Sequence, residues 1–75
     1  MISSQALTDL LKTVFEGAHV EVFDKTGAQD HYILYIRASQ FEGQNTLARH
    51  RMVNDAVKPL IESGQLHAIE IKAEV

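Results

Sequence analysis

The segment Tyr32-Ile33-Leu34-Tyr35-Ile36-Arg37-Ala38 constrains the fold more than any other part of the chain. Its aromatic and β-branched residues favour an extended, pleated backbone, in which successive side chains point to opposite faces. Tyr32, Leu34 and Ile36 therefore share one face, while Ile33, Tyr35 and Arg37 share the other. A strand with apolar groups on both faces belongs inside a sheet rather than at its edge. The rest of the sequence has to supply two neighbouring strands and a cover.

Both neighbours are legible. In Ala18-His19-Val20-Glu21-Val22 the apolar side chains alternate, so residues 18–25 read as a strand. The polar, glycine-containing run from Asp24 to Asp30 turns the chain and predicts an antiparallel hairpin with the central strand. Leu66 through Ala73 alternates as well, with His67, Ile69, Ile71 and Ala73 on one face and Glu70 and Lys72 on the other.

The cover comes from two helical stripes. Leu7, Leu10, Leu11, Val14 and Phe15 recur at helical spacing, with Ser3 or Ser4 to cap the start and Gly17 to close the end. A second helix begins near Asn45 or Thr46, carries the stripe Met52, Val53, Ala56, Val57, Leu60 and Ile61, and ends at Gly64. Pro59 lacks an N–H and crowds the carbonyl four residues back, which predicts a kink or restart near Lys58. Residues 39–43 form a short connector, a helical turn anchored by Phe41. The result is an α+β fold in the order helix–strand–strand–helix–helix–strand, a three-stranded mixed sheet with its helices on one face, as a single domain over residues 1–75.

Composition narrows the function. Seventy-five residues exclude a two-domain enzyme, and a chain of this size buries only about 60% of its unfolded surface, so a shallow binding surface is expected rather than an enclosed pocket. Seven Lys and Arg against ten Asp and Glu give a net charge of −3, which argues against a dedicated phosphate-backbone binder. There is no cysteine, hence no disulfide and no thiolate ligand. No run approaches the roughly 20 apolar residues of a membrane span, and Met-Ile-Ser-Ser does not read as a signal peptide, so a soluble cytoplasmic protein is expected. The motifs of nucleophilic, phosphate-binding and zinc-dependent catalysis are missing, and no enzyme is expected. Asp24 and Asp30 read as solvated loop carboxylates rather than an acid–base pair.

Four histidines are the compositional oddity. His19 lies on the polar face of the first strand and reads as a surface residue. His31 closes the polar loop as the central strand begins, a position both exposed and rigidly held. His67 opens the last strand, at the rim of the face carrying Ile69 and Ile71. A further feature is the basic knot Arg49-His50-Arg51 near the start of the second helix. It reads either as a phosphate-contacting surface or as the solvated face of an amphipathic helix. Cations there oppose the helix dipole, so helix stability does not explain the choice.

Ser39-x-Phe41-Glu42-Gly43, Arg49-His50-Arg51-Met52-Val53-Asn54 and Leu66-His67-Ala68-Ile69-x-Ile71-Lys72 together resemble the BolA/IbaG family, in order and spacing, over almost the whole chain. The His-Ala opening of the last strand, 16 residues after the basic knot, is the most specific block. The resemblance implies a fold related to the class II KH domain and a role in iron–sulfur metabolism. It implies a complex with a monothiol glutaredoxin around a shared [2Fe–2S] cluster, with His67 in the position of one ligand. The second family ligand is a Cys or His in the loop between the first two strands, where His31 is the candidate.

Two departures bear on DNA binding, which some members of the family show: Gln44 stands where relatives often carry Lys, and the chain stops at Val75 without a longer tail. The Gly-x-x-Gly loop of KH domains is missing too. A [2Fe–2S] cluster needs four ligands, and two histidines on one iron are tolerated. This chain offers imidazoles only, so the sulfur ligands must come from the partner. On this reading Arg49 and Arg51 form a rim that steers the partner, the isolated chain is a monomer or weak dimer, and a DNA-binding regulator using Arg49, His50 and Arg51 is the alternative.

Overall fold

In the computed structural model, which describes residues 1–75, β2 (His31–Arg37) is the middle strand of a three-stranded sheet. β1 (His19–Asp24) runs antiparallel along one side, with His19 opposite Arg37 and Asp24 opposite Tyr32. β3 (Ala68–Glu74) runs parallel along the other, with His31 opposite Ala68 and Arg37 opposite Glu74. The sheet is therefore mixed. Tyr32, Leu34 and Ile36 face inward and are buried, whereas Tyr35 and Arg37 on the opposite face are exposed.

The last strand starts later than its alternation predicts. Leu66 is buried in the core before the strand begins, and its N–H donates to the Leu60 carbonyl at 3.1 Å. That anchor belongs to the end of the preceding helix, so sheet pairing begins only at Ala68.

Both helices cover the inner face. α1 (Ser4–Val14) is capped by Ser3, whose hydroxyl oxygen accepts from the Ala6 N–H. Its stripe delivers Leu7 and Leu11 to the core, with Phe15 just beyond its end, while Val14 at the stripe's border stays exposed. α2 (Thr46–Glu62) is capped by the Asn45 side chain, which accepts from the Ala48 N–H at 2.8 Å. Val53 and Val57 are fully buried, Met52, Ala56 and Leu60 partly so, and Ile61 is exposed.

The restart expected at Lys58 does not occur, because α2 continues through Pro59 to Glu62. Pro59 removes one hydrogen bond, to the Asp55 carbonyl, and only three helical residues follow it. Its own carbonyl accepts the Ser63 N–H at 3.1 Å, and packing of Val57 and Leu60 holds the last turn on the core.

The turn between β2 and α2 is a 3-10 turn, Ser39–Phe41, that inserts Phe41 fully into the core. Its ring packs on Phe15 with centroids 5.2 Å apart, joining the end of α1 to the connector. The only polar atom among the largest core side chains is the Tyr32 hydroxyl, which donates to the Ile2 carbonyl at 2.8 Å. Burial raises the Tyr32 phenol above its ordinary value of 10.0, with the charges of Asp24 and Asp30 adding to it.

Tyr32→Phe is expected to cost about 1–2 kcal/mol in urea unfolding, because the Ile2 carbonyl loses its buried donor. The parent protein should keep the contribution of the protonated phenol below pH 10.0 and lose it as pH rises through the higher folded value, since the unfolded chain ionises first. Tyr32→Phe should flatten that alkaline loss; an unchanged alkaline profile would contradict the assignment.

Candidate functional site

Parallel strands begin at the same end of a sheet. β2 starts at His31 and β3 directly after His67, and the Ala68 N–H donates to the Asp30 carbonyl at 3.1 Å. Two histidines 36 positions apart in sequence are thereby brought to one end of adjacent strands.

The loop before His31 is held by its own side chains. Asp24 accepts from the Gly27 N–H at 2.9 Å and from the Gln29 N–H at 3.1 Å. Both of its oxygens thus serve to form the turn. Gln29 takes a left-handed conformation, φ 60°, at the tip of this turn. The Thr26 hydroxyl donates to Asp30, and that hydrogen bond holds the Asp30 carboxyl below its ordinary range, with the charges of His67 and His31 adding to it.

His31 is half-buried. Its Nε2 lies 3.4 Å from a Glu70 oxygen, yet it makes no aligned hydrogen bond and is closed off from solvent. Glu70 is shared with Lys25, whose ammonium donates to it at 3.0 Å. Lys25 is the main cause of the lowered Glu70 pKa, and His31 adds less. His67 is exposed, and its Nε2 lies 3.1 Å from the Gly64 carbonyl. A carbonyl only accepts, so in the neutral ring Nε2 carries the proton and Nδ1 keeps its lone pair. The backbone around His67 is fixed on both sides, by buried Leu66 before it and by β3 after it.

Nowhere does the chain assemble three His, Asp or Glu side chains into a group that could close around a metal ion. The histidine end thus brings together two imidazoles and no third such ligand.

The basic knot is elsewhere. The Arg49 guanidinium donates from Nε to the Gln44 carbonyl at 2.8 Å and from Nη1 to the Ala73 carbonyl at 3.2 Å. It clamps the start of α2 to the far end of β3, about 20 Å along the strand from His67 at the usual rise per residue. The expected rim of Arg49 and Arg51 around the histidines is not formed, because parallel pairing puts the two features at opposite ends of β3. His50 is half-buried and Arg51 exposed. His19 stays on the surface, 3.5 Å from Glu21. A depression of about 150 Å³ lies at this far end, lined by His19, Tyr35, Ile36, Arg37, Lys72 and Glu74. Neither His31 nor His67 reaches it.

Sequence reasoning did not single out Glu70 and Lys25 as neighbours of His31. Their only signal is the outward position of Glu70 in the alternation of the last strand, which has meaning only once the parallel register is known.

Comparison with known proteins gives a consistent picture. The family model for BolA-like proteins matches residues 7–75. Protein RP812 of Rickettsia prowazekii is 35% identical over 71 residues, covering 95% of this chain and 91% of that protein. Among solved structures, the BolA domain of SufE1 from Arabidopsis thaliana superposes with a TM-score of 0.83 at 26% identity, covering 99% of this chain and 94% of that one. Yeast Fra2 gives a TM-score of 0.82 at 25% identity, covering 99% and 80%.

The two arginines should separate cleanly by stability. Arg49→Ala is expected to lower unfolding free energy by about 1–2 kcal/mol through loss of two bonds to backbone carbonyls. Arg51→Ala should stay within about 0.5 kcal/mol of the parent, as exposed substitutions without partners do. Equal effects in thermal or urea unfolding would refute the clamp.

Proposed function

The chain belongs to the BolA-like family, and from that premise we propose that it is a non-enzymatic adaptor of iron–sulfur metabolism that binds a monothiol glutaredoxin and shares a [2Fe–2S] cluster with it. The observation that carries the proposal is the parallel register of β2 and β3, which sets His31 and His67 at one sheet end without a third ligand. An iron site takes two imidazoles readily when the other ligands are sulfur. A chain without cysteine has to obtain that sulfur from its partner, and the partner's thiolate with its bound glutathione is the matching donor set.

Each histidine has a distinct part in this reading. His67 presents a free Nδ1 from an exposed, backbone-fixed position, so it is the primary ligand. His31 is the second, with the Glu70 carboxylate 3.4 Å from its Nε2. The alternative reading, a DNA-binding regulator using Arg49, His50 and Arg51, retains Arg51 as its one exposed cation, since Arg49 is engaged with two carbonyls and His50 is half-buried.

Co-expression with a monothiol glutaredoxin is expected to yield a complex whose visible circular dichroism differs from that of the glutaredoxin alone. His67→Ala should change that spectrum, whereas His19→Ala should leave it as in the parent complex. Because only neutral imidazole ligates, the cluster signal should weaken on acidification. A spectrum identical to that of the glutaredoxin homodimer, or insensitive to His67→Ala, would overturn the proposal.

A further inference from the structure

β3 is an edge strand with one side open. The Ala68 N–H donates to Asp30 and the Glu74 carbonyl accepts from Ala38, so residues 68, 70, 72 and 74 direct their backbone groups toward β2. Ile69, Ile71 and Ala73 therefore direct theirs outward. Of these outward groups only the Ala73 carbonyl has a partner, the Arg49 guanidinium. An open row of this kind recruits another extended strand unless charge or geometry forbids it.

We propose that this edge pairs with the same edge of a second copy, antiparallel and centred on Ile71, to give a continuous six-stranded sheet. The charge pattern of the strand selects this occupant and this register. Centred on Ile71, Glu70 of one copy stands opposite Lys72 of the other, twice by symmetry, and Ile69 stands opposite Ala73. All seven residues pair, and the outward backbone groups of 69, 71 and 73 become the hydrogen-bonded pairs. Moving the centre by one residue either way sets Glu70 against Glu70, or Lys72 against Lys72 and Glu70 against Glu74. Like charges directly opposite disfavour those registers.

Lys72 is prepared for such a contact. It has no carboxylate within 4.0 Å of its ammonium, which sits 5.5 Å from the centre of the Tyr35 ring. Glu70 is half-exposed and keeps lone pairs free beside Lys25. The Ala73 carbonyl has two lone pairs, so Arg49 retains one while the second copy takes the other. The half-buried Ile71 side chains of the two copies meet on the inner face, next to Ile69 and Ala73. The pairing does not depend on the histidines or on any metal.

Two charge-reversed variants test the register. Sedimentation velocity of the parent chain from about 10 μM to about 1 mM should show reversible dimerisation, the range in which a weak association is half complete. Lys72→Glu alone and Glu70→Lys alone should each weaken the dimer at least about tenfold, because each sets like charges opposite one another twice. Mixed together, the two variants should associate as tightly as the parent or more so, since every pair in the heterodimer is then complementary. In the parent, hydrogen-exchange protection at the Ile69, Ile71 and Ala73 amides should rise with concentration. A parent chain that stays monomeric at about 1 mM, a dimer indifferent to either reversal, or a mixture that fails to associate while both variants keep the parent circular dichroism would overturn the proposal.

Discussion

Parallel pairing between β2 and β3 is the constraint on which the rest of the molecule depends. A parallel neighbour cannot be reached by a tight turn, so the chain must return along the length of the sheet before β3 can start. The 3-10 turn and α2 make that return, and their apolar groups, Phe41, Val53 and Val57, fill the inner face on the way. The start of β3 is set by the exit from α2, where buried Leu66 fastens the chain to Leu60. The end of β3 is set by Arg49, which reaches from the start of the same helix to the Ala73 carbonyl. One helix therefore fixes both ends of the strand.

The same pairing creates the candidate site. His31 and His67 are far apart in sequence and on different elements, and neither is part of a metal-binding motif. They come to the same end of the sheet because both stand where a parallel strand begins. At this site His67 is exposed, while the His31 Nε2 is closed off from solvent. The site holds these two imidazoles at one end of the sheet. The charged groups around it, Asp30, Glu70 and Lys25, are held by local hydrogen bonds.

The two faces of the sheet differ in how their charges are used. The inner face has no buried charge, and its one buried hydroxyl is satisfied by the Ile2 carbonyl. The outer face has no helix over it, and Phe23 and Tyr35 pack edge to face there among paired charges, with ring centroids 5.6 Å apart. Charges on the edge strand serve a second purpose, because the order Glu70, Lys72, Glu74 limits which strands can join it and in which register.

Local patterning determined much of this protein. The alternation of Tyr32 through Ala38 was enough to place that segment at the centre of the sheet, since apolar groups on both faces are tolerable only between neighbours. The Leu7–Phe15 stripe, the caps at Ser3 and Asn45 and the Phe41 anchor are equally local, and they appear where periodicity and hydrogen-bonding chemistry put them. Local rules failed at Pro59 and Leu66: tertiary packing in the last turn of α2 outweighed one missing hydrogen bond, and the alternating pattern ran on into a residue the core had already claimed. What only the tertiary structure decided is proximity. The blocks that resemble a known family pointed to His31 and His67, but alternation cannot say at which end of which neighbour a strand begins. Nor can it show that Arg49 spends its donors on the far end of β3, or that Glu70 stands beside His31. Those facts follow from the register of β2 against β3, which is settled by the packing of the whole core and is carried by no single segment.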